Sequence, residues 1–156
     1  MEIIEQLERI QAETLKYFDL PESDLLKNYG PGTWSIRYIL HHLADSETVS
    51  FYRIRRVISE PKQVIWVFDQ DAWAKKLDYS TVPLDVAKSI YLSSRQAIIY
   101  YARLHYENGH EITFVHSETG IRTLKDQFDL VVEHNRQHVG DIEKALSSQT
   151  QQSSAP

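Results

Sequence analysis

The sequence predicts an all-α protein, a four-helix bundle with long irregular connections. Three observations carry this. Four segments repeat apolar residues at helical spacing. Proline and glycine signals punctuate the stretches between them. The last segment also holds two histidines four residues apart, His134 and His138, which helical geometry places on one face about a turn apart.

The first helix is expected from Glu2 to Phe18. Ile3, Leu7, Ile10 and Phe18 fall near one face, Ile4 and Leu15 broaden it, and Pro21 helps end it. A linker from Glu22 to Gly32 closes on Tyr29-Gly30-Pro31-Gly32, a turn signal. The second helix is expected from Ser35 to Ser59, stopping before Pro61. Its stripe is Ile36, Leu40, Leu43, Glu47, Phe51, Ile54 and Ile58. Glu47 interrupts that stripe. It reads first as a rim or hydrogen-bonded carboxylate, with a site-facing role as the alternative.

Residues from Pro61 to Val82 look irregular, with a short extended piece at 64–68. A connection of this length is often a lid or a packed surface loop. Its aromatics, Trp66, Phe68, Trp73 and Tyr79, are expected to serve packing. Pro83 suits the first turn of a third helix reaching Tyr106, with Val86, Ile90, Ala97, Ile98, Tyr101 and Leu104 as its apolar face. Asn108-Gly109 breaks that helix, and ITFVHSETGIR reads as an extended loop or small hairpin. Thr123 is the expected N-cap of the last helix, with Asp126 in a capping-box place, and the helix runs to Leu146. Two connections are long enough that an up-down-up-down order is not assured. Residues 1–146 form the expected single domain. Residues 147–156 have almost no apolar content and are expected to be a disordered tail.

With 156 residues the chain can bury a sizeable core. A net charge of −5, without a basic patch interleaved with aromatics, argues against nucleic acid as a partner. The absence of cysteine excludes disulfides, thiolate metal ligands and a cysteine nucleophile. The opening MEIIEQLERI is not a signal peptide, and no apolar stretch approaches membrane-spanning length. The expectation is a soluble cytoplasmic protein with no membrane partner.

His134 and His138 lie within the apolar stripe of the last helix, beside Leu124, Gln127, Phe128, Val131, Ile142 and Ala145. Imidazoles turned into a bundle need polar partners, and a shared metal supplies one to both. A backbone hydrogen bond is the plainer alternative. The motif is not HExxH, because Asn135 follows His134 and no glutamate within it can act as base. His41 and His42 compete as third ligand. On the wheel, His42 lies at the margin of its stripe and can reach an interior site, whereas His41 should face solvent. Asp45 is a weaker candidate. Asp141 is expected to be a surface carboxylate, with a hydrogen bond to a ligand imidazole as its alternative. His105, His110 and His116 are assigned no site role.

The stretch Trp34-Ser35, six residues, then His42-Leu43-Ala44-Asp45-Ser46-Glu47 resembles the first motif of the DinB-like superfamily. His134-x-x-x-His138 resembles its second. The likeness covers Glu2 to Leu146 and is nearest to the branch of YfiT-like metal-dependent hydrolases and bacillithiol S-transferases. It implies a four-helix bundle, a divalent metal held by His42, His134 and His138, and a homodimer. Nickel and zinc both suit such a site. Asp141 stands where many relatives carry glutamine. The function so implied is a metal-dependent thiol S-transferase or hydrolase acting on a small-molecule substrate. Any reacting thiol would have to come from a low-molecular-weight cosubstrate. The alternatives are a non-catalytic, stress-associated bundle in which the metal is structural, and a plain bundle without metal.

Overall fold

A computed structural model describes residues 2–147. Apart from Ser147, the expected tail lies outside them. Six helices and three short strands follow in the order α1 (Glu2–Tyr17), α2 (Glu22–Leu25), α3 (Ile36–Ser59), β1 (Val64–Ile65), α4 (Gln70–Lys76), α5 (Leu84–His105), β2 (Thr113–His116), β3 (Gly120–Thr123) and α6 (Leu124–Ser147). The four long helices are those the periodicity predicts. Two assignments change. The 22–32 linker contains α2, and the 61–82 stretch contains α4, while the extended piece expected at 64–68 forms as β1. α4 starts where the Asp69 side chain accepts from the Ala72 amide at 2.9 Å. Pro83 occupies the N-cap of α5 rather than its first turn. The expected hairpin forms between β2 and β3, and β1 adds parallel to β2, giving the order β1-β2-β3.

The bundle does not run up-down-up-down. One apolar cluster holds Ile3 and Leu7 of α1, Ile54 and Val57 of α3, Ile98 and Ile99 of α5, and Leu124 and Phe128 of α6. A second holds Phe18, Ile36 and Leu40 of α3, Ala87 and Tyr91 of α5, and Ile142 and Ala145 of α6. α1 and α6 therefore run from the first cluster to the second, and α3 and α5 run the other way. α3 packs against α5 and α6, and α1 against α5 and α6. The α3–α5 neighbours are parallel, so the chain must cross the bundle's length between Glu60 and Pro83, and β1 and α4 lie on that crossing.

A polar layer separates the two clusters. Arg95, fully buried, donates from Nε and Nη2 to the two oxygens of Glu47, at 2.8 and 2.7 Å, and from Nη1 to the Leu7 carbonyl at 3.2 Å. Asn135 donates to Glu47 at 2.8 Å and to the Val131 carbonyl at 3.1 Å, and accepts from the Tyr91 hydroxyl at 3.0 Å. One guanidinium and one amide thus tie all four long helices together. Glu47 is the hydrogen-bonded carboxylate of the sequence reading, not a rim residue. The face predicted for α5 is corrected here. Val86, Ile90 and Leu104 are exposed, whereas Ala87, Tyr91, Ser94, Arg95, Ile98, Ile99 and Ala102 are buried. Counting apolar residues alone misplaced the stripe, because this helix buries an arginine and a tyrosine.

Gly109 opens a 3₁₀ turn that lies against the start of α6. A Cβ on it would sit 2.9 Å from the Lys125 amide nitrogen, a backbone atom that cannot swing away. Gly109→Ala is expected to cost about 1–3 kcal/mol through overpacking. Urea unfolding checks this as a lower midpoint at constant slope; an unchanged midpoint would mean that the turn moves freely.

Candidate metal centre

Two caps fix the phase of the helices that carry the histidines. The Ser35 hydroxyl accepts from the Tyr38 amide at 3.4 Å and starts α3. Thr123 and Asp126 cap α6 reciprocally: Asp126 N–H donates to Thr123 Oγ1 at 3.1 Å, and Thr123 N–H to Asp126 Oδ2 at 2.8 Å. From these starts His42 turns into the bundle, fully buried, and His134 and His138 reach it half-buried from α6.

The structure brings the three rings together. His42 Nε2 lies 3.0 Å from His134 Nε2. Ring centroids are 5.0 Å apart for His42–His134, 4.9 Å for His42–His138 and 4.7 Å for His134–His138. Each residue offers one ring nitrogen, and the three nitrogens lie within 4.8 Å of one another. Among the described residues this is the group of histidine and carboxylate side chains with the spacing to hold a metal ion. A cation about 2.1 Å from each of two imidazoles separates their nitrogens by about 3.0–3.4 Å, depending on the angle. The His42–His134 spacing falls in that range.

The electrostatics agree with neutral ligands. Burial lowers the His42 pKa to about 3, with His134 and His138 adding repulsion. Burial, then His138 and Arg95, lower that of His134 to about 4. His138 is also lowered by burial, against an opposing pull from Asp141. Two unprotonated nitrogens 3.0 Å apart repel across their lone pairs. One must carry a proton, or a cation must lie between them. The residues present therefore fit a divalent metal.

Around the rings the walls are aromatic. Trp34 meets His42 edge-on at 5.0 Å, and Phe68 stacks on it at 6.1 Å. The Phe68 loop is held by Arg53, which donates to the Trp66 carbonyl at 2.6 Å, and by the Ser117 hydroxyl, which accepts from the Val67 amide at 3.0 Å. Among the described residues His42 Nδ1 is buried without a hydrogen-bond partner, so no acceptor at that nitrogen orients this imidazole. Sequence reasoning missed Phe68 as a site residue. It sits in an irregular stretch with no periodicity to show its direction.

Two site expectations need correction. His41 does not face solvent. It is 4% exposed and stacks on Tyr79 at 5.2 Å, because the chain between α4 and α5 covers that side of α3. Asp141 is 7% exposed rather than a surface carboxylate. It lies 3.6 Å from His138 Nδ1, beyond hydrogen-bond range, and accepts from Lys144 at 3.1 Å. Asp45 is turned from the cluster and accepts from the Tyr79 hydroxyl. His105, His110 and His116 lie outside the cluster.

Among known proteins, one of Oceanobacillus iheyensis, provisionally named a metal-dependent hydrolase, is 29% identical over 139 residues, covering 89% of this chain and 79% of its own length. One of Bacillus cereus, named in the same way, is 31% identical over 142 residues, covering 89% and 80%. The solved structure of YfiT from Bacillus subtilis, provisionally described as a metal-dependent hydrolase with an unusual four-helix bundle topology, matches with a TM-score of 0.83 at 25% identity, over 92% of this chain and 83% of that one. The mycothiol-dependent maleylpyruvate isomerase shares the fold, with a TM-score of 0.71 at 10% identity, over 90% and 59%. The DinB superfamily model matches residues 6–142, and with the bundle and its histidine motifs in view, this chain belongs to the DinB superfamily.

Proposed function

We propose that His42, His134 and His138 hold a divalent cation, nickel or zinc, and that the chain is a metal-dependent enzyme acting on a small molecule. The three-imidazole cluster, with one nitrogen pair already at ligand spacing, carries this reading. Bound there, such an ion supplies Lewis acidity that generates a water or thiol nucleophile near neutral pH. The chain's own part is to present three neutral imidazoles and to keep the surroundings dry with Trp34 and Phe68. In thiol S-transfer, the sulfur of a cosubstrate forms the new bond to carbon as the leaving group departs with its electron pair. In hydrolysis, a water oxygen takes that place. The chain has no cysteine to supply the sulfur itself. A homodimer and a cytoplasmic location belong to the same proposal.

Protein purified without chelator is expected to carry a single divalent ion per chain. Removing it should lower Tm by about 5–10 °C. That range follows from about 2.7 kcal/mol of linkage at a hundredfold excess over Kd and about 2–4 °C per kcal/mol for a chain of this size. Elemental analysis and thermal melts with EDTA, Ni²⁺ and Zn²⁺ measure both. No ion and no shift would defeat the reading. Small thiols paired with electrophiles, run beside ester and amide substrates, then divide transfer from hydrolysis. A second reading has the ion only tie α3 to α6, and the buried position of His42 between packed helices favours it. Metal-dependent stability with every assay silent would support that reading.

A further inference from the structure

Ser46 lies one turn after His42 on α3, and its side chain is 6% exposed. Hydroxyls in a helix commonly bond back to the carbonyl four residues earlier. Thr48, Ser89, Ser93 and Ser147 do so here, at 3.1, 2.9, 3.0 and 2.8 Å. Ser46 instead turns its Oγ to His42 Nε2, at 3.3 Å. That nitrogen is the one 3.0 Å from His134 Nε2. A lone pair given to a cation cannot accept a hydrogen bond as well. The proposed metal would therefore release the Ser46 proton toward whatever else occupies the face between the imidazoles. On the same ring, Phe68 stacks as a wall that carries no hydrogen-bond donor.

We infer that Ser46 is a positioning residue for a small anionic nucleophile at this face: its hydroxyl donates a hydrogen bond to the anion that shares the ion with the three histidines. The inference rests on the metal reading of the same site. It is a specificity device as well. A hydrogen bond to a charged acceptor is stronger than one to a neutral acceptor, so the site prefers a deprotonated thiol or water to its protonated form.

Cobalt(II) separates the two readings, because its absorption reports its ligands without turnover. The unmodified chain should bind Co²⁺, and azide should perturb its visible spectrum. Ser46→Cys should add a sulfur-to-cobalt charge-transfer band, since a thiolate replacing Oγ reaches the same face. Ser46→Ala should keep cobalt affinity within about threefold and weaken azide about tenfold, the loss expected for one charge-assisted hydrogen bond. Circular dichroism confirms that both variants fold. A purely structural Ser46 would change neither the band nor azide affinity. Bound cobalt with no charge-transfer band in Ser46→Cys, or unchanged azide affinity in Ser46→Ala, overturns the Ser46 assignment alone. A parent chain that binds no cobalt removes the metal reading and this inference together.

Discussion

Arg95→Ala is expected to destabilise the bundle by about 3–5 kcal/mol, the cost of leaving a buried partner charge uncompensated. The guanidinium is fully buried and makes both of its carboxylate bonds to Glu47, which is 1% exposed. Removing it strands that carboxylate with Asn135 as its remaining donor and frees the Leu7 carbonyl of α1. Desolvation alone would lower the Arg95 pKa, and the adjacent carboxylate more than offsets it, so the cation persists at any ordinary pH. Urea unfolding of Arg95→Ala, Glu47→Gln and the Glu47→Gln/Arg95→Ala pair measures the effect. The double variant should lose less than the sum of the singles, because it leaves no buried charge. An Arg95→Ala cost below about 1 kcal/mol would mean that water reaches the layer and solvates Glu47.

His138→Ala is expected to abolish metal-dependent stabilisation. Losing even an outer hydrogen-bond partner of a ligand weakens metal affinity about 10–100-fold, and losing a ligand should exceed that. His42→Ala and His134→Ala should behave alike. His41→Ala is the informative control. His41 is buried against Tyr79, so its removal should cost about 1–3 kcal/mol of stability with metal absent. Its rings and nitrogens lie outside the three-histidine group, so the gain in Tm on adding metal should survive. Calorimetric metal titration of each variant decides the matter. Equal loss of affinity in His41→Ala and His138→Ala would contradict the assignment of His42 over its neighbour.

The long helices were legible as helices because each repeats apolar residues at helical spacing between recognisable breaks. In α6 every residue named for the stripe is buried, and the Thr123–Asp126 cap is made in both directions. His42 was legible for the same reason, since the stripe of α3 points at the core. What failed depends on partners distant in the chain. His41 and α4 depend on the 60–83 crossing, the face of α5 depends on the partners of Arg95 and Tyr91 on other helices, and periodicity along one helix carries no information about either. Arg95 was missed because a charged residue reads as solvent-facing until its partner is known. That partner, Glu47, sits on another helix.

Parallel packing of α3 and α5 bears on how the chain reaches this state. A parallel pair cannot be closed by a short turn. Its loop-closure entropy must be met before any of its contacts contribute. His42 precedes the crossing, and His134 and His138 follow both it and the hairpin. The three imidazoles thus meet only once α3 has found α6, the most distant pairing in the chain among the long helices that touch α3. A spectroscopic ion at this cluster would serve as a clock for assembly, silent through helix formation and registering the pairing of α3 with α6.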